Sequence, residues 1–161
     1  MKLSVFRHGF TAEAAQAVAG ADIRLLRRLV NKALVQAVPN DRYDIHDLLR
    51  QYGMEKLSAT DSSDQVLARH LDYFSAFVQG HVSDLKGRRQ FGGLNEIEAD
   101  IQNIRQAWSL AIQRDDISSV DHMLEGLRLY YWMRTRYREA EDLFRQGLLE
   151  LNLAGSDSRL W

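Results

Sequence analysis

The 161-residue chain contains no cysteine and a single proline. Without cysteine there can be no disulfide and no thiolate metal site, and a reducing compartment is the expectation. One proline beside many Leu, Ala, Arg, Glu and Gln residues removes the commonest helix breaker and points to a mainly helical protein. No apolar run approaches the ~18 residues a membrane helix needs. The opening MKLSVF lacks the charged-then-apolar layout of a signal peptide. Neither sign of charge dominates: the net charge is -1 and the pI lies near 6.5. That balance gives no electrostatic case for the chain as a whole to bind nucleic acid or a membrane surface. The expectation is a soluble, cytoplasmic, mostly α protein, long enough for one sizeable core or two small ones.

Leu3, Val5 and Phe6 form a short apolar entry that Arg7-His8-Gly9 interrupts. Phe10-Thr11 opens the first clear helix, with Thr11 as N-cap; Ala14, Ala15, Val18 and Ala19 form a thin apolar face, and Gly20 is the stop. Asp22 caps the next helix, where Leu25, Leu26, Leu29, Val30 and Ala33 keep helical spacing opposite Arg24, Arg27, Arg28, Asn31 and Lys32. Leu34 to Val38, the turn Pro39-Asn40-Asp41 and Arg42 to Ile45 read as a β-hairpin. Asp44 is placed to cap a helix beginning at Ile45 or His46, with Leu48, Leu49, Tyr52 and Leu57 as its buried stripe. Helix, hairpin, helix over residues 22 to 57 is the order of the back half of a winged helix.

The small polar run Ser58 to Ser63 is the best candidate boundary, which divides the chain into 1–57 and 58–161. Beyond it the texture is helical. Val66, Leu67, His70, Leu71, Phe74, Phe77, Val78 and Val82 mark one long helix. Lys86 to Arg89 and Phe91-Gly92-Gly93 read as a loop, and Leu94, Ile97, Ile101, Ile104, Trp108 and Ile112 mark the next helix. A final helix pair runs from Ile117 to about Arg134 and from Tyr137 to about Leu153. Its spacing resembles a tetratricopeptide repeat of about 34 residues, with Leu127, Tyr131, Tyr137, Ala140, Phe144 and Leu148 at the large and small positions. Thr135 stands near the place where that pattern has glycine. Gly155 to Ser158 read as a turn and Arg159-Leu160-Trp161 as the start of a further helix, so the expectation is a chain truncated at its C-terminal end.

Taken together, LSVFRHGFTAEAAQAVAG, LLRRLVNKALVQ and YDIHDLLRQYGMEKL resemble the winged helix of the signal-transduction ATPases with numerous domains. The narrower likeness is to the large bacterial transcriptional activators of that class, kin to the nucleotide-binding domains of apoptotic activators and plant resistance proteins. LNEIEADIQNIRQAWSLAIQRDD looks like the helix that joins the winged helix to their superhelical sensor. The resemblance covers almost the whole chain. It implies an ATPase core before the winged helix, bound ATP or ADP with Mg in the parent protein, and repeats that receive a protein or small-molecule effector. The phosphate-binding loop G-x-x-x-x-G-K-[ST] occurs nowhere in these residues, so no ATPase activity and no cofactor are expected of the chain itself. The family tripeptide, typically Met-His-Asp, matches Ile45-His46-Asp47. By that likeness His46 touches the β-phosphate of ADP held by the core, and Asp47 is its structural partner. A helix N-terminus, with unpaired N–H groups and a positive dipole end, favours an anion at the same place.

The other candidates carry less. Arg24, Arg27, Arg28, Asn31 and Lys32 form a face that would enter the major groove in a DNA-binding winged helix. The turn Pro39 to Arg42 supplies no basic wing to support it, and docking against acidic groups of the core is the preferred reading. His8, His70, His81 and His122 lack metal-ligand spacing and are read as packing or surface residues. Trp108, Tyr130, Tyr131, Trp132 and Tyr137 are read as core aromatics rather than a ligand groove. No catalytic constellation stands out. The expected function is nucleotide-state sensing in a transcriptional regulator. The alternatives are a DNA-binding winged helix with a helical dimerisation arm and a non-catalytic interaction scaffold.

Overall fold

The computed structural model describes residues 2–154, so the expectations for 155–161 lie outside the described residues. The chain is mainly helical with one small three-stranded antiparallel sheet. It divides into two compact units, Met1–Tyr73 and Phe74–Trp161. The division falls inside a helix; of the polar run, residues 59–62 form a turn that precedes it, and Ser58 and Ser63 end and start the flanking helices.

In the first unit a 3-10 turn, Lys2–Val5, buries Leu3, Ser4 and Val5. Strand β1, Phe10–Thr11, leads directly into helix α1, Ala12–Ala19. The Thr11 hydroxyl accepts from the Ala14 amide at 3.1 Å, and Gly20 closes the helix in the left-handed conformation at φ 67. Helix α2, Ile23–Asn31, starts on Asp22, whose carboxylate accepts from the Leu25 amide at 2.7 Å. Its periodic apolar residues are not all buried: Leu26 is, whereas Leu25 and Ala33 are exposed, and Ala33 has left the helix at φ 55.

The hairpin consists of β2, Gln36–Val38, and β3, Arg42–Asp44. Asn40 and Asp41 turn it at φ 62 and 54, a region these two types tolerate better than other non-glycine residues. Strand β3 lies in the middle of the sheet, with Tyr43 opposite both Ala37 of β2 and Phe10 of β1. Phe10 stacks on Phe6 at 4.6 Å between ring centroids and on Tyr43 at 6.2 Å. Helix α3, Asp47–Ser58, follows at once.

Helix α4, Ser63–Lys86, is divided between the units, and α5, Gln90–Gln113, lies in the second. Phe91, Gly92 and Gly93 are helical rather than in a loop. A Cβ on Gly93 would stand 3.2 Å from the Asp84 Cβ, so glycine there allows α5 to start close against the end of α4. Leu94, Ile97, Ile101, Ile104, Trp108 and Ile112 are all buried, as their spacing predicts. Asp116 caps α6, Ile117–Met133, by accepting from the Ser119 amide at 3.1 Å and the Ser119 hydroxyl at 2.7 Å. A turn with Thr135 at φ 56 leads to α7, Tyr137–Ala154. Leu127 and Tyr131 are buried, while Tyr137 and Leu148 are exposed. No described helix is long and apolar enough to cross a membrane.

Candidate functional site

The sharpest expectation concerned the junction of β3 and α3. The cap of α3 is His46 rather than Asp44: its Nδ1 accepts from the Leu48 amide at 3.4 Å, and the helix begins at Asp47. Asp44 turns its carboxylate to the Ile45 amide at 2.8 Å instead. His46 is exposed. When neutral, a ring that accepts at Nδ1 carries its proton on Nε2, so the outward nitrogen is a donor. The side chain thus presents an N–H at the positive end of a twelve-residue helix.

The buried face of α3 differs from its expected stripe. Leu57 is buried, but Leu48 is 71% exposed, Leu49 38% and Tyr52 51%. Arg50, Gly53 and Leu57 face inward instead. Arg50, only 7% exposed, sets that rotation. Its guanidinium pairs with the Asp47 carboxylate, lies 3.8 Å from that of Asp44, and reaches the Phe6 carbonyl at 3.5 Å. A cation turned inward needs such partners, and satisfying them carries Leu48, Leu49 and Tyr52 outward. The carboxylate of Asp47 therefore serves Arg50. An exposed histidine at the start of a helix that also exposes Leu48, Leu49 and Tyr52 is a surface suited to docking, with one polar contact among apolar ones.

Arg24, Arg27, Arg28, Asn31 and Lys32 are all exposed, and Ile23, Leu25 and Leu34 are exposed with them. The exposed side of α2 and the bend after it mix cations with large apolar groups, and neither kind is covered within the first unit.

The second unit contains polar clusters that periodicity did not disclose. The Glu98 carboxylate accepts from the Tyr130 hydroxyl at 2.7 Å and from Arg136 at 3.0 Å, with the Arg134 Nε 3.4 Å away. Arg134 also donates to Asn95 at 2.7 Å. Beside this cluster, Arg105 donates to the Tyr131 hydroxyl at 2.9 Å and pairs with Glu139. Burial pushes the Glu98 carboxyl up, but the hydrogen bonds from Tyr130 and Arg136 and the charges of Arg136 and Arg134 outweigh it, leaving the pKa below the ordinary value. Burial, then the bond to Glu98, raises the Tyr130 phenol. Trp108, Tyr130 and Tyr131 are buried, as core aromatics are, whereas Trp132 and Tyr137 are exposed. The Tyr130-Tyr131 pair a few residues before Arg134 and Arg136 was the available signal for these clusters. Its meaning depends on Glu98, 32 residues from Tyr130 in the chain.

Of the other histidines, His70 is buried with its ring 5.8 Å from that of Phe6, and His81 bonds Glu96 at 2.6 Å. Among the described residues no group of three or more His, Cys, Asp or Glu side chains could hold a metal ion. Comparison with protein-family models, curated proteins and solved structures returned no match.

Proposed function

We propose that this chain is the regulatory part of a multidomain ATP/ADP-switched transcriptional regulator, in which a winged helix senses nucleotide bound to an ATPase core. In this reading the 3-10 turn, α1, α2, the hairpin and α3 form the winged helix, and the later helices open a tetratricopeptide-like superhelix. The observation that carries it is the exposed His46 at the first turn of α3, next to exposed Leu48, Leu49 and Tyr52. In the resting state the core, bearing ADP and Mg, docks on those apolar groups. The outward nitrogen of His46 then donates to the β-phosphate, and Asp47 holds the helix start through Arg50. The arginines of α2 pair with acidic groups of the core. Effector binding on the downstream helices and exchange for ATP release the contact. The chain itself catalyses nothing and works in the cytoplasm. In the protein that joins this chain to its core, His46→Ala is expected to speed ADP release about tenfold, the scale of one lost charge-assisted hydrogen bond. An unchanged ADP off-rate refutes the proposal.

A second reading has its own observation. The exposed set Arg24, Arg27, Arg28, Asn31 and Lys32 suits a phosphate backbone. As a stand-alone DNA-binding winged helix, the chain would shift a duplex in a low-salt gel with affinity falling steeply as salt rises. The sensor reading expects no sequence-specific shift.

A further inference from the structure

The second unit has a groove of about 890 Å³ between the later part of α4, α6 and α7. That size falls within the range of small-ligand sites, about 300–1,000 Å³. The close approach of α4 and α6 beside it depends on Gly126: a Cβ there would stand 2.5 Å from the Val78 side chain and 3.0 Å from its carbonyl oxygen. Val82, Leu124 and Phe144 give the groove an apolar lining. Lys86 of α4 and Glu125 of α6 pair at 2.5 Å, so each charge has its main partner in the other.

Asp121 and Arg128, two other charges on the groove, are in a different situation. Both are exposed, and neither has a hydrogen bond or an ion pair among the described residues. The Arg128 charge does help, after the hydrogen bond and charge of Lys86, to hold the Glu125 carboxyl below its ordinary pKa. They stand seven residues apart on α6, which at 1.5 Å per residue separates them by about 10 Å along the helix. Opposite charges lie at the two ends, and apolar groups lie alongside. Gln79 of α4, also without a hydrogen-bond partner, adds an amide that can donate and accept.

We propose that this groove binds a short apolar peptide with free termini, about three residues long, its ammonium group at Asp121 and its carboxylate at Arg128. An extended chain spans about 3.3–3.6 Å per residue, so three residues match the separation of the two charges. The Gln79 amide meets the peptide backbone, and the apolar side chains lie on Val82, Leu124 and Phe144. A simple organic anion would leave Asp121 facing the ligand uncompensated, whereas a zwitterion satisfies both ends. The site lies wholly within the second unit and does not depend on the role of His46.

Calorimetric titration of the full chain with trileucine tests the proposal. Saturable binding at one site is expected. Amidating the peptide's carboxyl terminus and acetylating its amino terminus should each weaken binding about tenfold. Arg128→Gln should abolish the difference between trileucine and its amide, and Asp121→Asn the difference between trileucine and its acetylated form, because each variant removes the protein's half of one pair. Both replaced side chains are exposed, and the capped peptides probe the unaltered protein in any case. Absence of saturable binding overturns the proposal. So does equal binding of free and capped peptides, or variants that leave the capping differences intact.

Discussion

Arg50 shows how one residue can govern what surrounds it. Its guanidinium answers Asp47, Asp44 and the Phe6 carbonyl, and turning it inward rotates Leu48, Leu49 and Tyr52 to the surface. Arg50→Ala removes the donor to a carbonyl of a buried residue together with the packing of the aliphatic stem. The expected loss in chemical denaturation is about 2 kcal/mol, the scale of one lost charge-assisted hydrogen bond together with the packing of the stem. Arg50→Met keeps most of the stem and is expected to lose less; equal stability of all three proteins would contradict this account of α3. Periodicity alone could not anticipate the rotation. It counted Leu48, Leu49 and Tyr52 as the inward stripe because leucine and tyrosine usually are, while the partners that draw Arg50 inward include a carbonyl 44 residues away.

At the scale of elements, what was legible was local. Thr11, Gly20 and Asp22 act as caps where the sequence puts them, because a cap is satisfied within three or four residues. The hairpin turn follows from Asn40 and Asp41 in the same way. The losses came where a distant segment decides. Strand β1 has two residues, too few for alternation to register, and exists only by pairing with β3. Gly92 and Gly93 read as a loop, yet they belong to α5, where Gly93 permits close approach to α4. The Glu98 cluster likewise joins α5, α6 and the turn before α7 through residues far apart in sequence. Its carboxyl stays ionised to lower pH in the folded chain than in the unfolded one. The stability it adds is therefore complete above the ordinary glutamate pKa of about 4.3 and is lost as pH falls through the lower folded value. Thermal melts of Glu98→Gln should be less stable than the parent at neutral pH and converge with it in acid; a constant difference down to strongly acidic pH would contradict the assignment. Tyr130, raised instead, loses its contribution only as pH climbs past the ordinary phenol value of about 10.

For the molecule as a whole, two features remain uncovered within the first unit: the apolar rim around His46 and the mixed basic and apolar face of α2. Large exposed apolar groups beside a functional polar atom are what a docking surface presents to its partner. The proposed core supplies that partner, and it assigns the histidine and the leucines to one contact. Both parts of the contact are tested by the rate at which ADP leaves the protein that joins this chain to its core. His46→Ala and Leu48→Asp should each accelerate release, the first by removing the phosphate donor and the second by burying a charge in the contact. Release at the parent rate in both variants would contradict the claim that this end of α3 holds the nucleotide-bound core.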